Sequence, residues 1–211
     1  AALAAVAKSR PCHPPVEALR VSQDRLLEKE LFGRLGIPTP AFRAVDSLAD
    51  LRAAVAAIGL PSVLKTRRLG YDGRGQHYLR RPSDVEAAWK ALGGVPLILE
   101  GFVDFDREVS IIGARSTRGE TRCYPLCGNS HREGILRVTL APATNARLQK
   151  AAERHLRRVM DHFGYVGVLT VEFFVQRGRL VANEMAPRVQ NSGHWTSEGA
   201  VTSQFENPLR A

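Results

Sequence analysis

Gly167-Val-Leu-Thr-Val-Glu172-Phe-Phe-Val-Gln176-Arg177-Gly178-Arg-Leu-Val-Ala-Asn183-Glu184-Met-Ala-Pro187-Arg188-Val-Gln190-Asn191-Ser192-Gly193-His194-Trp195 is the stretch on which the reading of this chain turns. Two runs rich in β-branched and aromatic residues flank a Gln176-Arg177-Gly178 turn, which predicts a β-hairpin, and each run carries a glutamate where a purely structural strand favours an apolar residue. Alternation places Val168, Thr170, Glu172 and Phe174 on one face of the first strand, with Leu180, Ala182, Glu184 and Ala186 as the matching set on the second. A three-residue turn pairs Val175 with Arg179 and leaves Glu172 opposite Ala182 and diagonal to Glu184. That diagonal spans roughly 7–8 Å, within reach of one cation taking an oxygen from each carboxylate. A two-residue turn would put the glutamates on opposite faces and separate them. Two readings remain at this point: a shared metal site, or two solvated glutamates on an amphipathic hairpin. The polar loop that follows, with Pro187, Asn191, Ser192 and Gly193 carrying Arg188 and His194, supplies donors suited to an anionic ligand.

With 211 residues, 44% of them hydrophobic, the chain has the material for a substantial core in one domain or two small lobes. Ala1 to Ala7 is apolar but too short to cross a bilayer, and it lacks the basic flank of a secretory signal. Cys12, Cys123 and Cys127 give an odd count without zinc-site spacing, which fits a reducing cytoplasm. The formal charge of +9 raises the question of nucleic acid, but the 25 arginines are scattered, form no long run and have few aromatics interleaved. That distribution points to small anionic ligands and away from a nucleic-acid track or a membrane surface.

Residues 1–21, with Pro11, Pro14 and Pro15, read as a connector. Ser22 is expected to cap a helix through Leu35 whose stripe is Leu26, Leu27, Leu31 and Leu35, with Arg25 near its start. A helix is expected over about 47–58, then a strand from Leu60 to Lys65. This strand feeds Gly70-Tyr71-Asp72-Gly73-Arg74-Gly75-Gln76, and His77 to Leu79 returns as its partner. Three glycines in six residues can lay backbone N–H groups against phosphate oxygens, and Lys65 offers a point charge to the same group. No lysine with Ser or Thr follows, so this is not a Walker loop, and a plain hairpin tip remains the alternative. A helix over 82–92 leads to a buried strand ending at Glu100 and continuing into Gly101-Phe102-Val103. Glu108 to Ala114 and Thr121 to Leu126 are expected as paired strands, Asn129-Ser130-His131 as a loop, and 145–163 as a helix with Leu148, Ala152, Leu156, Val159 and Phe163 inward.

Together these segments resemble one family. Lys65 with the 70–76 loop, Arg107-Glu108-Val109-Ser110, Asn129-Ser130-His131, Gly134-Ile135-Leu136, Tyr165-Val166-Gly167-Val168, Asn183-Glu184, Ala186-Pro187-Arg188, Asn191-Ser192-Gly193-His194-Trp195 and Ser203-Gln204-Phe205-Glu206 look like the 5-(carboxyamino)imidazole ribonucleotide synthetases. These are ATP-grasp ligases of purine biosynthesis. The resemblance covers about residues 22–211, and the glycine loop and the last 30 residues are its most specific parts.

The resemblance implies an α+β, ATP-grasp fold in which two lobes with antiparallel sheets grip ATP. Residues 22–100 would form a helix plus the small lobe with its lid loop, and 101–211 the large lobe. It implies ATP and Mg²⁺ as cofactors, bicarbonate and 5-aminoimidazole ribonucleotide as further substrates, and a homodimer in the complete protein. Arg25, Lys65, Gly70, Tyr71, Asp72, Gly73, Arg74, Gly75 and Gln76 would touch ATP phosphates. Glu100, Gly101, Phe102 and Val103 would lie at the adenine, with Glu108 at the ribose and His131 beside it. Glu172 and Glu184 would hold the metal with Asn183 alongside, and Arg188, Asn191 and His194 would face bicarbonate or the imidazole nucleotide. The family carries a further domain before the position of Ala1 and another after Ala211, so the chain is expected to be a piece that is inactive by itself, with an ATP-binding module that does not turn over as one alternative. Gln190 stands where the family commonly has histidine; its amide still hydrogen-bonds an anion but takes up no proton near neutral pH. Another ATP-grasp member, such as the formate-dependent glycinamide ribonucleotide transformylase, is the alternative, and the 191–195 run speaks against it.

Overall fold

The computed structural model describes residues 2–70, 74–143 and 145–211. Along the chain run α1 (Ala2–Val6), α2 (Val16–Ser22), α3 (Arg25–Arg34), β1 (Phe42–Val45), α4 (Leu48–Ile58), β2 (Ser62–Thr66), β3 (Gln76–Leu79), α5 (Asp84–Leu92), β4 (Leu97–Gly101), β5 (Arg107–Arg115), β6 (Thr121–Cys123), β7 (Cys127–Arg132), β8 (Ile135–Leu140), α6 (Ala146–Phe163), β9 (Gly167–Gln176), β10 (Arg179–Ala186), α7 (Thr196–Gly199) and α8 (Asn207–Arg210). The strands make two antiparallel sheets. One has four strands in the order β1-β4-β2-β3, and the other runs β10-β9-β5-β7-β8 with β6 also paired to β5.

Each sheet buries one face against its own helices. Leu51 and Ala54 of α4 and Val85 and Ala88 of α5 close over Leu64, Leu79, Leu97 and Leu99 of the smaller sheet. On the larger sheet, the stripe of α6 formed by Leu148, Ala152, Leu156 and Val159 covers Val109, Ile111, Leu169 and Val171. Asn145 caps that helix by accepting from the Leu148 N–H, and Gly164 ends it in the left-handed region. Phe163, expected inward, is only half-buried at the last turn.

Local chemistry corrects several boundaries. Asp24, not Ser22, caps α3: its carboxylate accepts from the N–H groups of Leu26 and Leu27, while Ser22 closes the separate helix α2. The prolines therefore end the irregular part by residue 15, and Ala18 and Val21 are buried in the larger core where a connector was expected. Leu31 and Phe32 enter the same core, so α3 packs with the larger sheet although sequence order groups it with the smaller one. Asn129-Ser130-His131 is strand, not loop, because β8 pairs along it with an irregularity between Ser130 and His131.

The decisive hairpin also departs from expectation. Gln176 pairs with Arg179, so the turn has two residues; Arg177 and Gly178 both take positive φ, 49° and 72°, as a primed turn matching the strand twist requires. Taken alone, that parity would separate the glutamates. The register runs regularly to Ala182 opposite Phe173 and then jumps, with Glu184 directly opposite Glu172 and Asn183 as the extra residue of a β-bulge. The bulge reverses the alternation: Leu180 and Ala182 stay in the core, Met185 follows them there, and Glu184 turns to the face that carries Glu172.

Candidate active site

Between the two sheets lies a cleft of about 810 Å³. The smaller sheet contributes Lys65, Gln76, Tyr78 and Glu100 with Phe102 beyond its end, and the larger contributes Glu108, His131, Glu172, Phe174 and Glu184. Arg25, Gly70, Arg74, Gly101, Val103, Asn183, Arg188 and Asn191 also line it, so most of the residues picked from sequence meet in one place. Tyr71, Asp72 and Gly73 lie outside the described residues. His194 stands apart from the lining, exposed, with its ring 5.6 Å from that of Phe205.

Glu172 and Glu184 are direct cross-strand neighbours, a placement that brings Cβ atoms to about 4.5–5.5 Å. Burial, reinforced by the Glu184 charge, pushes the Glu172 carboxyl up to about 7. One hydrogen bond works against this: the Gln190 amide donates to Glu172 Oε1 at 2.8 Å. Arg188 in turn donates to Gln190 Oε1 at 2.7 Å, which fixes the amide so that its NH₂ faces the carboxylate. A half-buried like-charged pair with spare lone pairs is a donor set suited to a hard divalent cation. Among the described residues no third carboxylate, histidine or cysteine completes a cluster, so the remaining ligands of such a cation would come from the substrate and water.

Facing this pair is a cationic network. Lys65 Nζ lies 3.0 Å and Lys29 Nζ 3.7 Å from Glu100 Oε2. Burial alone would raise the Glu100 carboxyl, but the two ammonium charges override it and hold it at about 2. The Glu100 side chain is thus committed to lysines, and its ion pair with Lys65 is placed near the end of β2, just before the glycine loop departs. Arg25 reaches across to the same loop, donating to the carbonyls of Thr66 at 3.1 Å and Gly70 at 3.3 Å. The two loop ends are tightly packed: a Cβ on Gly70 would meet the Arg25 guanidinium at 2.7 Å, and one on Gly75, whose φ is +70°, would meet Thr66 Oγ1 at 2.7 Å. Glu108 contacts His131 Nδ1 at 2.7 Å and, by that bond, raises the imidazole's pKa.

Buried hydrogen bonds brace the 190–193 loop. Ser110, opposite Glu172 on β5, donates to Ser192 Oγ at 2.9 Å and accepts from Asn129 at 3.1 Å. Gln204 clamps the backbone of Gln190 from both sides, accepting from its N–H at 3.0 Å and donating to its carbonyl at 2.8 Å.

Several cleft residues escaped the sequence reading. Phe105 stacks on Phe174 with centroids 4.6 Å apart, and Tyr78 meets Phe102, already picked from sequence, edge-on at 6.4 Å, giving the cleft apolar walls for a flat ring. Glu28 lines the cleft and accepts from the Met185 N–H at 2.7 Å; burial pushes its carboxyl up to about 8. Lys29 is 1% exposed. The only sequence signal for these two was their position within the α3 stripe between Leu27 and Leu31, which any surface helix also shows.

A family model of the ATP-grasp domain matches residues 30–205. The N5-carboxyaminoimidazole ribonucleotide synthase of Pseudomonas aeruginosa is 58% identical over 201 residues, covering 95% of this chain and 56% of the relative. The chain thus spans a little over half the length of that relative. Among solved structures, the N5-carboxyaminoimidazole ribonucleotide synthetase of Thermus thermophilus superposes with a TM-score of 0.93 at 52% identity, covering 99% of this chain and 57% of that one. The Aspergillus clavatus synthase in complex with ADP and 5-aminoimidazole ribonucleotide gives a TM-score of 0.90 at 29% identity, covering 100% of this chain and 56% of its own. Two antiparallel sheets closing on a cleft, with the family match over most of the chain, lead to one conclusion: the chain belongs to the ATP-grasp family.

Proposed function

We propose that the complete protein carboxylates 5-aminoimidazole ribonucleotide at the expense of ATP, with bicarbonate as the carbon source. The observation that carries this reading is the Glu172–Glu184 pair in one cleft with Lys65, Gly70, Arg74 and Gln76, in a chain 58% identical to a synthase of that name. A bicarbonate oxygen attacks the γ-phosphorus as the bond to the bridging oxygen of ADP breaks. The resulting carboxyphosphate cleaves its C–O(P) bond into carbon dioxide and phosphate. The exocyclic amine then forms a C–N bond to carbon dioxide and gives up a proton to the phosphate.

Each group of residues has a place in this sequence. Arg25, Lys65 and the glycine loop bind the phosphates, with the loop closing to keep water from carboxyphosphate. Glu172 and Glu184 would hold Mg²⁺, which supplies charge neutralisation on the transferring phosphoryl group. The aromatic walls with Glu100 to Val103 take the adenine, and Glu108 and His131 sit at the ribose. Arg188 and Asn191 face the anionic substrates, and His194 reaches them only if its loop moves from Phe205. Among the described residues no helix is long and apolar enough to cross a membrane. The test is Glu184→Gln in the complete enzyme: bicarbonate-dependent ATP hydrolysis should fall by about 100-fold or more with the fold intact, and normal turnover would overturn the assignment.

A further inference from the structure

We infer that Lys29 is a positioning residue that sets the spacing of the paired carboxylates: its buried ammonium clamps the β10 bulge that turns Glu184 toward Glu172. The two-residue turn alone would send Glu184 into the core, so the pair exists only while Asn183 is held out as the extra residue. Lys29 Nζ donates to the carbonyl of Ala182 at 3.3 Å and to that of Asn183, the last residue in regular register and the extra residue of the bulge. The neighbouring Glu28 accepts from the N–H of Met185, immediately after Glu184. One turn of α3 therefore grips the backbone on both sides of Glu184. A bulge leaves backbone carbonyls without ladder partners, and a buried one needs donors from elsewhere. Lys29 supplies them and touches neither carboxylate of the pair. Its only acidic neighbour within 4 Å among the described residues is Glu100 on β4 of the opposite sheet, whose carboxylate also pairs with Lys65 of β2.

The inference rests on the reading that Glu172 and Glu184 hold a divalent cation, and its test separates the two. In the full-length protein, calorimetry gives the affinity for ADP with EDTA and with excess Mg²⁺, and the ratio isolates the metal's contribution. Electron paramagnetic resonance of Mn²⁺ reads the metal environment without turnover. Glu184→Gln should collapse the ratio; if it does not, the cation reading fails. With that established, Lys29→Met should lower the ratio about tenfold and broaden the Mn²⁺ signal, leaving ADP affinity in EDTA within about threefold, and Lys29→Arg should recover most of the loss. If Lys29→Met does not fold at the assay temperature, Lys29→Gln at low temperature is held to the same criterion. An unchanged ratio in the neutral variant, or equal losses with and without metal, overturns the role of Lys29.

Discussion

Glu100→Gln tests the cationic network directly. The carboxylate is 2% exposed, and Lys65 and Lys29 hold it at about 2, against about 4.5 for an unperturbed glutamate. A difference of about 2.5 units at 1.36 kcal/mol each corresponds to roughly 3 kcal/mol, the range found when one partner of a buried pair is removed. For a chain of this size that lowers the melting temperature by roughly 6–12 °C at pH 7. The sign of the pH dependence follows from a depressed carboxylate: its contribution is complete above the unfolded value near 4.5 and is lost as pH falls toward about 2. Scanning calorimetry of wild type and variant at pH 7, 5 and 3.5 should show a gap that is constant at the first two and narrows at the third. A gap below about 1 kcal/mol at pH 7, or one that widens in acid, would refute the network as the reason Glu100 stays ionised.

Three further outcomes follow from the cleft. Gln190→Ala removes the bridge between Arg188 and Glu172, and kcat/KM should fall about tenfold with little change in melting temperature. Gln190→His places a group titrating near pH 6.5 at that bridge, so the pH–rate profile should gain an inflection absent from wild type. Gly75→Ala forces a side chain into positive φ against Thr66 Oγ1; KM for ATP should rise severalfold in steady-state kinetics, and an unchanged KM would remove the loop from phosphate binding.

What the sequence disclosed and what it hid divide along physical lines. Whereas β7 reads as a loop, the helices α4 and α6 and the strands β2 to β5, β9 and β10 are written in periodicity and caps: Ser47 and Asn145 each accept from the N–H three residues on, as their positions suggest. Many cleft-lining residues were legible because glycines, glutamates and arginines are conspicuous beside apolar strands. The register of the hairpin was not, because a bulge has no compositional mark. Asn183 reads as one more strand residue until tertiary partners are seen, and those partners, Glu28 and Lys29, arrive from more than 150 positions away. The expectation of an odd turn failed for that reason, yet the face shared by the two glutamates survived, reached through the bulge. Likewise Phe105 and Phe174 stack only because Arg107 and Val175 pair on adjacent strands, a non-local fact.

The pairing of Glu172 with Glu184 is most directly tested by anomalous scattering from Mn²⁺ in crystals of the complete protein with a non-hydrolysable ATP analogue. A peak bound by an oxygen of each glutamate, at roughly 2.0–2.3 Å, is the expected result. A metal held by the nucleotide alone, with either glutamate turned away, would contradict it.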